Sequence, residues 1–317
     1  MKQKLVFLMI FLAINTYLLT NFIKPPQIEK QNIHEKDSID ENKTSSNCEL
    51  KYKNECLKLY AELNNPDPKA FFRPPLEKIP EEMLAEFTQN GEMPVTTYWY
   101  FNNVYTDAID TGKKEVKEII SKQEVDSLRT NVSDTRTGHY GDNYMRRFMT
   151  KYVKGDRVAV IGTEMPWVEA IALDAGASKI VTLDFTRKAY EQSDVLDWIH
   201  VQDYYNSVLK SEILEDFDSV ASFSSIEHSG LGRYGDPLDP NGDIKAVQQV
   251  HCMLKNGGLF FLGLPASGDN SSYIEFNAHR VYGTKRLDKL FQGWHLIEQT
   301  NRDEIHSVFV LKKVKTC

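Results

Sequence analysis

Asp184 closes an apolar run, Lys179–Leu183, and stands 22 positions after Gly162. A carboxylate so placed can accept from both hydroxyls of a ribose. Asp203 follows a second run, Ile199–Gln202, and offers an acceptor for an adenine amino group or a cap for the next helix. A third run, Phe217–Phe223, leads into Ser224, Ser225, Ile226, Glu227 and His228. His228 is the candidate general base, because an imidazole changes charge near neutral pH. Glu227 is placed to orient it or to bind a cofactor. Arg233, Tyr234, Asp236 and Asp243 lie in the polar loop that follows and suit a hydroxyl-rich acceptor, although the same loop also reads as an internally hydrogen-bonded Ω-loop. The chemistry these groups share is removal of a proton from a hydroxyl beside a bound nucleoside. Asp239, Asn241 and Asp243 alternate as in half a calcium loop, but Gly242 precedes the required turn glycine and Val250 replaces the closing glutamate. No metal-type spacing of Cys and His is present, so no metal site is assigned.

The elements that must position these groups follow from periodicity. Val158, Val160 and Ile161 make a β-branched strand that stops at Gly162. From Pro166, Val168, Ile171, Ala172 and Leu173 recur at helical spacing, and Gly176 suits the C-terminal cap. Lys179–Leu183 is the next strand, completing a βαβ unit. Ahead of it, Asp142 reads as an N-cap for a helix carrying Tyr144, Phe148 and Tyr152. After it come strands at Ile199–Gln202, Phe217–Phe223 and Leu259–Leu264, a helix over Ile244–Leu254, and a turn at Asn256-Gly257-Gly258. A helix near Arg286–Phe291 and an antiparallel pair, His295–Glu298 with Ser307–Lys312, close the chain. The fold class is therefore α/β, a doubly wound, mostly parallel Rossmann-like sheet with a terminal antiparallel hairpin. His279, Arg280 and Tyr282 either complete the edge that carries His228 or cap the next helix.

In order along the chain, Val158–Gly162, Thr182-Leu183-Asp184, Phe217–Val220 with Ile226-Glu227-His228, and Leu254-Lys255-Asn256-Gly257-Gly258 resemble four motifs of class I S-adenosylmethionine-dependent methyltransferases. More narrowly, Glu227 to Asp236, Asp239 to Asp243 and His279 to Gly283 resemble DUF268, a nematode-expanded family of unknown function. The first resemblance implies S-adenosylmethionine as cofactor, with Gly162, Thr163, Glu164, Asp184, Asp203, Ser224 and Glu227 around it and His228, Arg233 and Asp236 toward the acceptor. The turn after Gly162 departs from the glycine-rich pattern, since Thr163, Glu164, Met165, Pro166 and Trp167 follow. A pyrophosphate needs a bare helix N-terminus, and Pro166 removes one N–H while Trp167 adds bulk. A sulfonium carries no phosphate, and Glu164 or the Gly162 carbonyl can face it.

The 317 residues carry a net charge of -7, which argues against a nucleic-acid partner, because phosphate neutralisation needs a basic face. Leu5–Ile23 is a 19-residue stretch without a formal charge behind Lys2 and Lys4, long enough to span a bilayer and oriented with the bulk of the chain outside the cytosol. It predicts a signal anchor over residues 1–24 and a type II protein of the ER or Golgi, or a secreted product if the segment is cleaved. Residues 25–47 read as an unstructured stalk, 48–140 as a mixed cap region and 141–317 as the methyltransferase-like domain. Cys48 and Cys56 are close enough to bridge, Cys252 falls in an apolar helix and Cys317 is terminal. Asn42, Asn131 and Asn270 head Asn-x-Ser/Thr triplets. The run Thr96-Thr97-Tyr98-Trp99-Tyr100-Phe101 is either a sugar-stacking face or a packing patch. Two functions remain: a methyltransferase acting on a hydroxyl of a glycan or other small acceptor, or a non-catalytic binding or scaffold protein on the same fold.

Overall fold

The computed structural model describes residues 38–72, 74–101, 118–129, 139–300 and 306–315. The expected anchor at Leu5–Ile23, the triplet at Asn131 and Cys317 lie outside them. Among the described residues no helix is long and apolar enough to cross a membrane. The helices are α1 Ser38–Asn64, α2 Glu81–Phe87, α3 Lys122–Arg129, α4 Asp142–Tyr152, α5 Trp167–Asp174, α6 Val201–Ser211, α7 Gly242–Met253 and α8 Thr284–Leu290. The strands are β1 Val95–Thr96, β2 Glu118–Ile120, β3 Arg157–Ile161, β4 Lys179–Asp184, β5 Lys188–Tyr190, β6 Leu196–His200, β7 Phe217–Phe223, β8 Leu254–Leu264, β9 Tyr273–Glu275, β10 His279–Val281, β11 Trp294–Gln299 and β12 Ser307–Lys313.

Seven strands form the central sheet in the order β11-β12-β8-β7-β3-β4-β6. β6, β4, β3, β7 and β8 run parallel, and β12 is antiparallel to both β8 and β11. Alternation along β3 sends Val158 and Val160 into one layer with Met145, Phe148, Val168 and Ile171, and Ala159 into the other with Tyr205, Val247, Val250 and Leu287. Both faces are thus buried, which is why β3 reads as a continuous apolar run. The chain moves outward from β3 to β4 and β6, then returns to β7 on the other side of β3. The resulting crevice at the carboxyl ends of β3 and β7 is the place where such sheets hold ligands.

Several sequence expectations shift. The third parallel strand ends at His200, so Gln202 and Asp203 lie in α6. Gly141, not Asp142, caps α4, and Asp142 is buried in its first turn beside Arg146 at 3.1 Å. The Asn256-Gly257-Gly258 segment is an irregularity inside β8 and not a turn before it. Helix α1 begins at Ser38, so the last ten residues of the expected stalk are helical. Residues 47–317 group as one compact unit; the expected cap region contributes β1 to a sheet with β9 and β10 and β2 to a pair with β5. Finally, Cys56 pairs with Cys252, not with Cys48, which is itself disulfide-bonded. Sequence spacing does not show that α1 meets the end of α7 at Cys252.

Candidate active site

Gly162 leaves β3 with φ +73°, and a Cβ there would stand 2.0 Å from Ser225 Oγ. Glycine is therefore required twice over, by the left-handed backbone and by the seryl group above it. The next amide, Thr163 N–H, donates to Asp184 Oδ2 at 3.1 Å. Asp184 Oδ1 accepts from Thr186 N–H at 2.7 Å and from its hydroxyl at 2.6 Å. Each carboxylate oxygen takes about two donors, so Oδ2 keeps one acceptor site. Below the turn, Glu169 Oε1 accepts from the hydroxyls of Thr163 and Thr182, each at 2.8 Å. Burial holds the Glu169 carboxyl above its ordinary range, against those two donors, and its Oε2 has no partner. Glu169 thus fixes Thr163, and Thr163 fixes Asp184. Sequence reasoning missed Glu169, which sits at the third position of α5 among apolar residues.

The carboxyl end of β7 carries the second cluster. Ser224, with φ +51°, donates from Oγ to Glu227 Oε1 at 2.9 Å. His228 Nε2 and His306 Nε2 each stand 3.6 Å from the same oxygen, and His306 Nε2 lies 3.2 Å from Ser224 Oγ. Burial raises the Glu227 carboxyl, but the positive charge that His228 carries when protonated, then the contact from His306, outweighs it and holds the group below the usual range. Its Oε2 is buried without a partner. Burial also lowers His228, opposed by Glu227 and reinforced by Arg233, so the imidazole favours its neutral form. Its Nδ1 is 2.6 Å from the Ala278 carbonyl; a carbonyl only accepts, so Nδ1 carries the proton and Nε2 the lone pair. Around this group Trp167 lies flat on His139, centroids 4.0 Å apart, and Phe223 stacks on His306 at 5.2 Å.

Not every expected site residue joins these clusters. Glu164 is exposed at the turn, and its carbonyl accepts from Lys188 Nζ at 3.2 Å. Asp203 neither caps α6 nor ends a strand; it pairs with Arg187 at 2.7 Å, while His200 caps the helix. Asp236 turns inward and accepts from the amides of Gly230, Gly232 and Tyr234 at 2.8, 3.2 and 3.2 Å, so its task is to shape the loop. Burial raises its carboxyl against those three donors. Asp243 is fully buried between Arg280 and Arg286, with Tyr282 donating to it at 3.0 Å, and it is withdrawn from any acceptor. The Ω-loop alternative therefore describes this segment. Arg233 remains beside the cluster, donating to the Ala278 carbonyl at 3.2 Å with its guanidinium 3.9 Å over the Phe101 ring. Among the described residues no group of three potential metal ligands is present.

Residues 155–315, half of the chain, match the family described as Caenorhabditis protein of unknown function, DUF268. The chain belongs to the DUF268 family. No curated protein matches its sequence. Among solved structures it is similar to the 1,6-didemethyltoxoflavin-N1-methyltransferase of Burkholderia thailandensis, with bound 1,6-didemethyltoxoflavin and S-adenosylhomocysteine, at 13% identity over 56% of this chain and 81% of that one, TM-score 0.39. It is similar to the N-methyltransferase NodS of Bradyrhizobium japonicum in complex with S-adenosylhomocysteine at 12% identity, over 61% and 98% of the two chains, TM-score 0.39. For an S-adenosylmethionine dependent methyltransferase of Mesorhizobium loti the values are 14%, 56% and 99%, TM-score 0.36. Values this low carry no inference about activity, so the functional reading rests on the residues themselves.

Proposed function

We propose that this domain binds S-adenosylmethionine across the carboxyl ends of β3, β4 and β7 and methylates a hydroxyl. The observation that carries the reading is the pair of carboxylates at the switch point of the sheet, Asp184 with one acceptor site left and Glu227 with a buried, unpartnered oxygen. That donor set fits a cationic nucleoside: Asp184 takes a ribose hydroxyl, and Glu227 faces the positive methionine end. The bound cofactor supplies an electrophilic methyl group. The chain supplies alignment and exclusion of water, and His228 Nε2 is the atom that receives the acceptor's proton.

A glycan acceptor in the secretory pathway is the finer part of the proposal. Tyr98 and Trp99 are 81% and 54% exposed, yet their backbone is held, because Trp99 N–H donates to Glu275 Oε1 at 2.7 Å and Phe101 N–H to Asn277 Oδ1 at 2.6 Å. Rings presented on a fixed backbone suit a pyranose face, and Phe101 under Arg233 joins them to His228. The Cys56–Cys252 disulfide suits an oxidising compartment, as do Lys2 and Lys4 before Leu5–Ile23. A second reading, a non-catalytic binding protein on the same fold, is favoured by Ser225 occupying the space over Gly162. Calorimetric titration of the folded chain with adenosylmethionine and adenosylhomocysteine separates the two. The enzyme reading expects binding that weakens at least about tenfold, or roughly 1.4 kcal/mol, in Asp184→Asn. Absence of heat with both ligands refutes the enzyme reading.

A further inference from the structure

His306 lies 78 residues beyond His228 in sequence, and none of the four motifs includes it. It reaches the site because β12 pairs with β8 and β8 with β7. The hydrogen-bond directions around it are fixed by what each atom can do. Ser224 Oγ donates its single proton to Glu227 Oε1 at 2.9 Å. Ser224 Oγ is then left as an acceptor toward His306 Nε2 at 3.2 Å, which requires the proton of His306 to be on Nε2. The longer approach of Tyr140 OH to the same nitrogen, 3.5 Å, does not compete with it. His306 Nδ1 is buried without a partner. On the far side of Glu227, His228 carries its proton on Nδ1 toward Ala278. While His228 is neutral, the lone pair of its Nε2 therefore faces Glu227 Oε1 across 3.6 Å.

We propose that His306 is a positioning residue that acts through Ser224 to hold Glu227 as the anion facing His228, making the gap between them a receptor for one O–H or N–H donor. A hydroxyl entering this gap donates to His228 Nε2 or Glu227 Oε1. With a sulfonium methyl donor bound, an O–CH3 bond would form as the CH3–S bond breaks and its electron pair returns to sulfur, while the O–H bond breaks and the proton passes to His228 Nε2. The imidazolium then stands beside a carboxylate already directed at it, and the proton leaves later to solvent. As the substrate class of the methyl acceptor this deepens the function proposed above and rests on it, but the receptor itself exists without cofactor. Other charged or titratable groups facing the two histidines are Arg233, His279 and Tyr234 around His228, and Tyr140 and His139 around His306.

Long-range proton–nitrogen NMR on the full chain labelled with ¹⁵N-histidine reads each tautomer directly and needs neither cofactor nor acceptor. The expected wild-type result is Nδ1–H for His228 and Nε2–H for His306. In Ser224→Ala, and independently in His306→Phe, whose ring can keep the stack on Phe223, the loss of support for the Glu227 anion moves the His228 titration to lower pH, with His251 unchanged as the folding control. An Nδ1–H tautomer at His306, or an unmoved His228 titration in a folded variant, overturns the proposal. Should either variant fail to fold, the wild-type tautomers still decide. Absence of adenosylmethionine binding with these tautomers present refutes the methyltransferase reading and leaves the receptor standing.

Discussion

Replacing Gly162 by alanine probes the segment on which an open or a closed nucleoside turn depends. Two costs add. A residue with a Cβ at φ +73° costs about 1–2 kcal/mol, and a Cβ 2.0 Å from Ser225 Oγ and 2.6 Å from its Cβ adds an overpacking cost of about 1–3 kcal/mol. The single variant should therefore lose about 2–5 kcal/mol. Ser225→Gly removes both atoms of the clash and leaves the φ cost in place. In its own right it costs only the backbone freedom of glycine, about 1 kcal/mol or less. The double variant should then recover about 1–3 kcal/mol of coupling. Denaturant unfolding under oxidising conditions, followed by tryptophan fluorescence, measures all four corners of the cycle. Additivity within about 0.5 kcal/mol would refute the argument, because it would mean that Ser225 does not occupy the space over Gly162.

Two further perturbations test the frame around the site. Cys252→Ala opens a disulfide spanning 196 residues; chain entropy alone gives about 5 kcal/mol for a loop of that length, but Cys48 on the same helix is also bridged, so a loss of about 2–4 kcal/mol in denaturant unfolding is expected. His251 is held neutral, its Nδ1 accepting from Tyr52 at 2.9 Å and its Nε2 facing the Gly293 carbonyl at 3.2 Å, and burial, then Lys313, lowers it to about 4. Since the unfolded chain titrates near about 6.5, it binds more protons between those values. Stability from this group is complete above pH ~6.5 and is lost as pH falls toward ~4, by at most about 3 kcal/mol. His251→Gln should flatten that limb, which unfolding free energies at pH ~7 and ~4.5 will show.

What could be read from sequence, and what could not, divides along the range of the interactions. The unit from Arg157 to Asp184 was legible because its signals are local: a β-branched run, a helix closed at Gly176, whose φ is +89°, and a strand ending on a carboxylate. His306 and Tyr140 were not legible, since their proximity to Ser224 depends on strand order and not on spacing. Cys56 and Cys252 pair across 196 residues, whereas sequence proximity favours Cys48 with Cys56. Asp236 and Asp203 look like ligand-binding residues by type alone. Three converging amides and the Arg187 side chain absorb them instead.

The loop from Gly230 to Asp243 is where residue type misleads most, and the reason bears on the site. Arg280 and Arg286 share one carboxylate, Asp243, and all three are buried. One positive charge is thus left without an anion of its own. It is met by carbonyls: Arg280 donates to Ser229 O at 2.6 Å, Asp239 O at 3.3 Å and Glu227 O at 3.4 Å, and Arg286 donates to Pro240 O at 3.0 Å. Charge-assisted bonds of this kind are stronger than neutral ones, and they bind both ends of the loop to β10 and α8. Two of the carbonyls belong to Glu227 and Ser229, the neighbours of His228 on either side. A loop rich in aspartate and glycine therefore serves as the frame that holds Glu227 and His228 at the end of β7. Two of the loop's carboxylates, Asp236 and Asp243, are thus spent on its own framework.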